Sequence, residues 1–161
     1  MNRDSMAQSV MRVIWDTLRP IAQDHFRVDC HELDETVPTV VVTLSPDPAA
    51  FDKARLQFWI IDEPDIIDAV IGRAGRLELP VRKAGWRPTG RDSLAAEVSF
   101  LARCAALGRY SECICTDGGQ VARVLGWIRS DGEEIALEAV TRAESVEVTN
   151  AMIEYRPYLS L

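Results

Sequence analysis

The stretch VLGWIRSDGEEIALEA, residues 124 to 139, decides the fold, because it sets one strong turn signal between two apolar-rich runs. A type I′ turn needs positive φ at both central residues, and Asp131-Gly132 tolerates it. Counting outward from that turn pairs Ser130 with Glu133, Arg129 with Glu134, Ile128 with Ile135, Gly126 with Leu137 and Val124 with Ala139. The apolar pairs share one face and Arg129 meets Glu134 on the other, as cross-strand neighbours in an antiparallel ladder should. The stretch predicts a two-residue hairpin, and with it an antiparallel sheet.

Working outward, Phe26, Val28 and Cys30 alternate with polar residues, and Val37 to Leu44 and Leu56 to Ile61 are β-branched or alternating runs, so each reads as a strand. The third is apolar on both faces, which places it centrally. Leu77, Leu79 and Val81 alternate as another strand, and a last one is expected around Val146 to Tyr155. Met6, Val10, Val13, Ile14 and Leu18 follow a Ser5–Gln8 capping pattern at helical spacing up to Pro20. Ile66, Ile67, Val70 and Ile71 suit a short second helix opened at Asp62 and closed by Gly72, with Asp62, Glu63, Asp65 and Asp68 favoured by its macrodipole. Leu94, Val98, Leu101 and Ala105 make the stripe of a third, with Cys104 on its core side and Gly108 as terminator.

This order lacks the strict βα alternation of a parallel doubly wound sheet. It predicts an α+β fold, a mainly antiparallel sheet with about three helices forming a single layer packed on it, and one domain over residues 1–161. The opening α-β-β-β-α-β resembles the architecture of type III secretion chaperones, a resemblance of element order alone, from which the long helix over 92–107 and the strands after it depart. It implies a dimer with an exposed apolar groove.

Composition narrows the function classes. The 161 residues carry 18 Lys and Arg against 25 Asp and Glu, a formal net charge of −7, which disfavours general binding to nucleic acid or anionic lipid and points to basic protein partners. No run approaches the roughly 20 apolar residues of a membrane span, and Arg12, Asp16 and Arg19 break any secretory leader, so a cytoplasmic protein is expected. Cys30, Cys104, Cys113 and Cys115 have neither disulfide-scaffold nor metal-ligand spacing, and free, mostly buried thiols are expected, with no metal and no cofactor.

Catalytic chemistry has few candidates. Any Ser-His or Cys-His machine must use His25 or His31, and Cys30 and His31, adjacent on a strand, point to opposite faces. Asp29 and His31 do share a face, with Asp24, His25 and Glu32 nearby as further ligand types. Neither Gly72-Arg-Ala-Gly75 nor Gly118-Gly119 is a phosphate-cradling motif.

Charge is unevenly spread. Residues 73 to 91 hold six bases, Arg73, Arg76, Arg82, Lys83, Arg87 and Arg91, against the single acid Glu78, and leave 12 bases and 24 acids elsewhere. The loop over 82–91, with Trp86 and Arg87, is suited to an acidic peptide or a phosphate, since Arg offers paired donors and Trp stacks. Asp131, Glu133, Glu134 and Glu138 on the hairpin have no helix to explain them and are the better candidates for a partner surface. The reading is a non-catalytic protein-binding module, an acidic inhibitor or immunity-type protein that neutralises a basic toxin or enzyme. The alternatives are a small enzyme built around His31, Asp29 and a cysteine, and a secretion-chaperone-like protein.

Overall fold

Residue chemistry sets each element of the computed structural model, which describes residues 2–34, 36–73, 75–81, 93–117, 120–140 and 149–159. Helix α1 spans Arg3–Ala22 and buries Met6, Ala7, Val10, Ile14, Leu18 and Ala22, a stripe at steps of three and four. Its cap is Asn2, whose side chain accepts from the Ser5 amide at 2.9 Å, so the helix starts ahead of the expected Ser5. Pro20 stands in its last turn; a missing N–H there costs one hydrogen bond, and the helix runs on to Ala22. Helix α2, Leu94–Ala106, is capped by Ser93 and buries Leu94, Val98, Leu101, Cys104 and Ala105. The helices pack together, and the Thr17 hydroxyl donates to Ser99 Oγ between them at 2.9 Å.

The strands form two antiparallel sheets. The first is a meander of β1 (Phe26–Leu33), β2 (Thr39–Pro46), β3 (Leu56–Ile61), β4 (Ile66–Ile71) and β5 (Gly75–Pro80), paired in chain order, which puts β3 at its centre as expected. The second holds β6 (Tyr110–Asp117), β7 (Gln120–Ser130), β8 (Glu133–Val140) and β9 (Thr149–Glu154) in the order β8-β7-β6-β9. The fold is α+β, with two helices among the described residues.

The expected helix over 62–72 is instead a turn and strand β4. Ile66, Ile67, Val70 and Ile71 fit a helical face by spacing, but three isoleucines and a valine are stiff at χ1 and pack well on a pleated surface. The strand buries Ile67, Ala69 and Ile71, an alternation of period two. Gly72, at φ +68°, turns the β4–β5 hairpin rather than closing a helix. No macrodipole draws the acids there; Asp68 lies opposite Glu78 across the ladder and meets Arg76 at 2.9 Å.

The helices and both sheets share one buried cluster, with Ile14, Leu18, Phe58, Ile60, Leu94 and Ile128 among its members. Each such side chain contributes roughly 1.5–3 kcal/mol by leaving water. Tyr110 bridges the sheets: a Cβ added at Gly75 would stand 2.1 Å from its hydroxyl and one at Gly126 2.6 Å, so β5 and β7 close around the phenol only because both positions lack a side chain.

The β7–β8 hairpin has the register counted from its sequence, Ser130 opposite Glu133 through Val124 opposite Ala139. Asp131 and Gly132 have φ of +46° and +84°, as a type I′ turn requires. A Cβ at Gly132 would meet nothing within 4 Å, so a substitution there acts through the backbone alone. Gly132→Val is expected to destabilise by roughly 1–2 kcal/mol and Gly132→Asn by less, because left-handed backbone is costly for a β-branched residue and mild for asparagine. Denaturant midpoints of the two variants against the parent measure this, and equal midpoints for all three would contradict the turn.

Candidate functional site

The turn fixes where the hairpin carboxylates go. Asp131, Glu133 and Glu134 are exposed at its tip, beside exposed Ile135 and Ala136. Arg129 and Glu134 are ladder partners, yet the guanidinium does not close on that carboxylate. It donates to Ser111 Oγ at 3.2 Å and lies 3.8 Å from Glu154, which leaves Glu134 without an ion pair among the described residues. Glu138 stands opposite Leu125 in the ladder; its side chain, like Trp86 and Arg87, lies outside the described residues.

The suspects on β1 do not assemble. Cys30, expected in the core, is exposed. Its side of β1 is the one α1 covers, but β1 is the sheet's edge strand and α1 lies chiefly over β2. The thiol is pushed up from its usual range, first by partial burial and then by Asp4 and Glu32, the reverse of an activated nucleophile. Asp29 and His31 share the other face, where the Asp29 carboxylate accepts from Arg27 Nε at 2.8 Å. Among the described residues no three His, Cys, Asp or Glu side chains gather as a metal site. Cys104 is buried as expected and its thiol pushed up to about 11 by that burial. Cys113 and Cys115 are buried on one face of β6, and none of the four cysteines forms a disulfide.

A charged residue that sequence reasoning passed over sits at the joint of the two sheets. Glu112 on β6 is 0% exposed. Its Oε2 accepts from the Tyr110 hydroxyl at 2.9 Å, and its Oε1 accepts from the Tyr155 hydroxyl at 2.5 Å and from the Arg73 backbone amide at 2.9 Å. Three donors from three elements thus converge on one carboxylate, which repays much of the cost of burying it. Both phenols are raised well above their usual range, first by burial; Glu112 adds to each. Strand alternation does put Glu112 on the face of Tyr110 and Ile114, so period-two counting through β6 was the signal available for it.

Above this joint the surface is concave. A hollow of about 330 Å³ is lined by Phe51, Lys53, Arg55, Gly72, Arg73 and Tyr155 among others. It adjoins a second of about 440 Å³ that shares Phe51, Lys53 and Arg55 and extends to Arg27 and Asp47. The wall is fastened at several points: the Gly72 amide donates to the Arg55 carbonyl at 2.8 Å, the Arg156 amide to the Asp52 carbonyl at 2.7 Å, and Lys53 Nζ to the Tyr158 carbonyl at 2.9 Å. The Tyr158 hydroxyl donates to the Ala54 carbonyl. The Asp52 carboxyl is held below the usual carboxylate range, chiefly by the hydrogen bond it accepts from the Arg156 guanidinium.

No protein-family model, curated protein or solved structure matches the chain.

Glu112→Ala strands three donors and is expected to cost about 3–5 kcal/mol. Glu112→Gln should cost only about 1 kcal/mol, because the amide oxygen can keep the two Oε1 contacts while the Tyr110 hydroxyl turns to accept from the new amino group. Chemical unfolding of both variants tests the difference, and equal losses would show that shape rather than hydrogen bonding matters. The same phenols set an alkaline limit. An unfolded tyrosine ionises near about pH 10 whereas Tyr110, Tyr155 and Tyr158 resist it when folded, so their stabilisation is complete below about pH 10 and falls as pH rises beyond it. Tyrosinate absorbance should appear together with loss of secondary structure; three phenols titrating independently in the folded protein would contradict this burial.

Proposed function

We propose that the chain is a non-catalytic protein-binding module whose acidic hairpin engages a basic partner, in the manner of an inhibitor or immunity-type protein. One observation carries the reading: Asp131, Glu133 and Glu134 are exposed on a turn of fixed geometry, and the arginine that ladder register places beside Glu134 is engaged elsewhere. Exposed Ile135 adds apolar area next to them, the mixture of charged rim and apolar contact common in transient interfaces. The net charge of −7 supplies a field that attracts a basic partner from a distance.

The enzyme alternative draws less support, since Cys30 and His31 face opposite ways and the Cys30 thiol is raised. The chaperone alternative loses its element order, because β4 and β5 follow β3 where a helix was expected.

Charge of this kind acts mainly on the association rate. With a basic partner in hand, raising salt should slow association, and the double variant Glu133→Lys, Glu134→Lys should slow it further. Each substitution should leave stability within about 0.5 kcal/mol, as at other exposed sites. Stopped-flow association rates decide it, and an unchanged rate in the double variant removes the hairpin from the interface.

A further inference from the structure

The groove beside Phe51 has the opposite character from the hairpin. Among the described residues its first hollow is lined by three cations, Lys53, Arg55 and Arg73, and by no acid, in a chain of net charge −7. Neither Arg55 nor Arg73 is in an ion pair with a described residue. Both side chains are exposed. Two carboxylates stand near these cations: Glu112 is buried behind Tyr155 and occupied by its three donors, and Asp52, which also acts on Lys53, is paired with Arg156. The Asp52–Arg156 pair cancels, so Glu112 against the three cations leaves an excess of about two positive charges, matched to a dianion rather than a monoanion.

Phe51 lies on the wall common to both hollows and is 83% exposed, a large apolar ring held in water beside a cationic cleft. The second hollow is closer to neutral, since Arg27 is taken by Asp29 at 2.8 Å and Asp47 stands in its lining. Each hollow is within the roughly 300–1,000 Å³ of small-molecule sites. Concave shape, unpaired guanidinium groups and an exposed ring therefore coincide, and two arginine forks can grip one phosphoryl group through several charge-assisted bonds.

We propose that this groove binds a small phosphate monoester with a flat organic part, its phosphoryl group between Lys53, Arg55 and Arg73 and its flat part against Phe51 in the adjoining hollow.

Phenyl phosphate, inorganic phosphate, benzoate and benzyl alcohol, titrated separately into the full chain and followed by nitrogen–proton correlation spectra, test the site. Phenyl phosphate should bind saturably and shift the signals of residues 50–55, 72 and 73. It should bind more tightly than inorganic phosphate, which lacks the ring, and than benzoate, a monoanion; benzyl alcohol, which lacks the charge, should not bind. Arg55→Gln and Arg73→Gln should each weaken phenyl phosphate roughly tenfold. Phe51→Ala should weaken phenyl phosphate severalfold and leave inorganic phosphate unchanged. All three side chains are exposed, so thermal midpoints should stay near that of the parent, which separates loss of binding from loss of fold. Absence of saturable phenyl phosphate binding, tighter binding of benzoate, or unchanged affinity in the Arg55→Gln, Arg73→Gln double variant overturns the proposal.

Discussion

Burying Glu112 is the constraint around which the two sheets are arranged. A carboxylate taken out of water demands donors, and here they come from β6 itself, from the β4–β5 turn of the other sheet and from the residue that follows β9. Satisfying it fixes where Tyr110 and Tyr155 can lie, and their rings stack with centroids 5.6 Å apart. Tyr110 in turn requires Gly75 and Gly126 where its hydroxyl passes between the sheets. An apolar residue at position 112 would remove the desolvation cost but also the directional bonds that set how one sheet meets the other, so the buried charge serves orientation more than net stability.

How much of this could be read in the sequence depended on the range of the interactions involved. The β7–β8 hairpin was legible to the residue, because its cause is local: two residues that accept positive φ, flanked by runs whose alternation agrees about the inner face. The stripes of α1 and α2 were legible for the same reason. The segment over 62–72 misled because four apolar residues at positions 66, 67, 70 and 71 satisfy helical and strand templates about equally, and strand pairing with β3 and β5 decided between them. Cys30 misled differently. Its facing was read correctly, but exposure depends on its strand being the sheet's edge, which alternation along one strand does not contain.

The candidate sites divide along the same line. Three of the hairpin carboxylates are neighbours in sequence and remain neighbours in space, so a reading along the chain finds them. The groove collects Arg27, Lys53, Arg55, Arg73 and Tyr155 from β1, the loop before β3, the β4–β5 turn and the end of β9, and no window of the sequence holds them together. Charge counting did register an excess of bases beginning at Arg73, but it assigned that excess to the segment after β5. Arg73 itself is turned to a different use by the glycine before it, whose positive φ places this residue at the mouth of the groove rather than in a ladder.

The two surfaces also differ in how firmly they are held, and this bears on what each is suited to do. A tip of exposed carboxylates needs only to be reachable, since steering acts over about a Debye length and tolerates small displacements. Recognition of a phosphoryl group needs donors held to within a fraction of an ångström. The groove has that support: the backbone of Arg73 is fastened to Glu112, Arg55 is bonded through its carbonyl to Gly72, and Tyr155 is tied to Glu112 through its hydroxyl. Exposed side chains on a fastened backbone retain rotamer freedom and lose it when they bind, which limits affinity but permits entry and exit of a ligand. The buried carboxylate that orients the sheets thereby also sets the wall of the cleft above it.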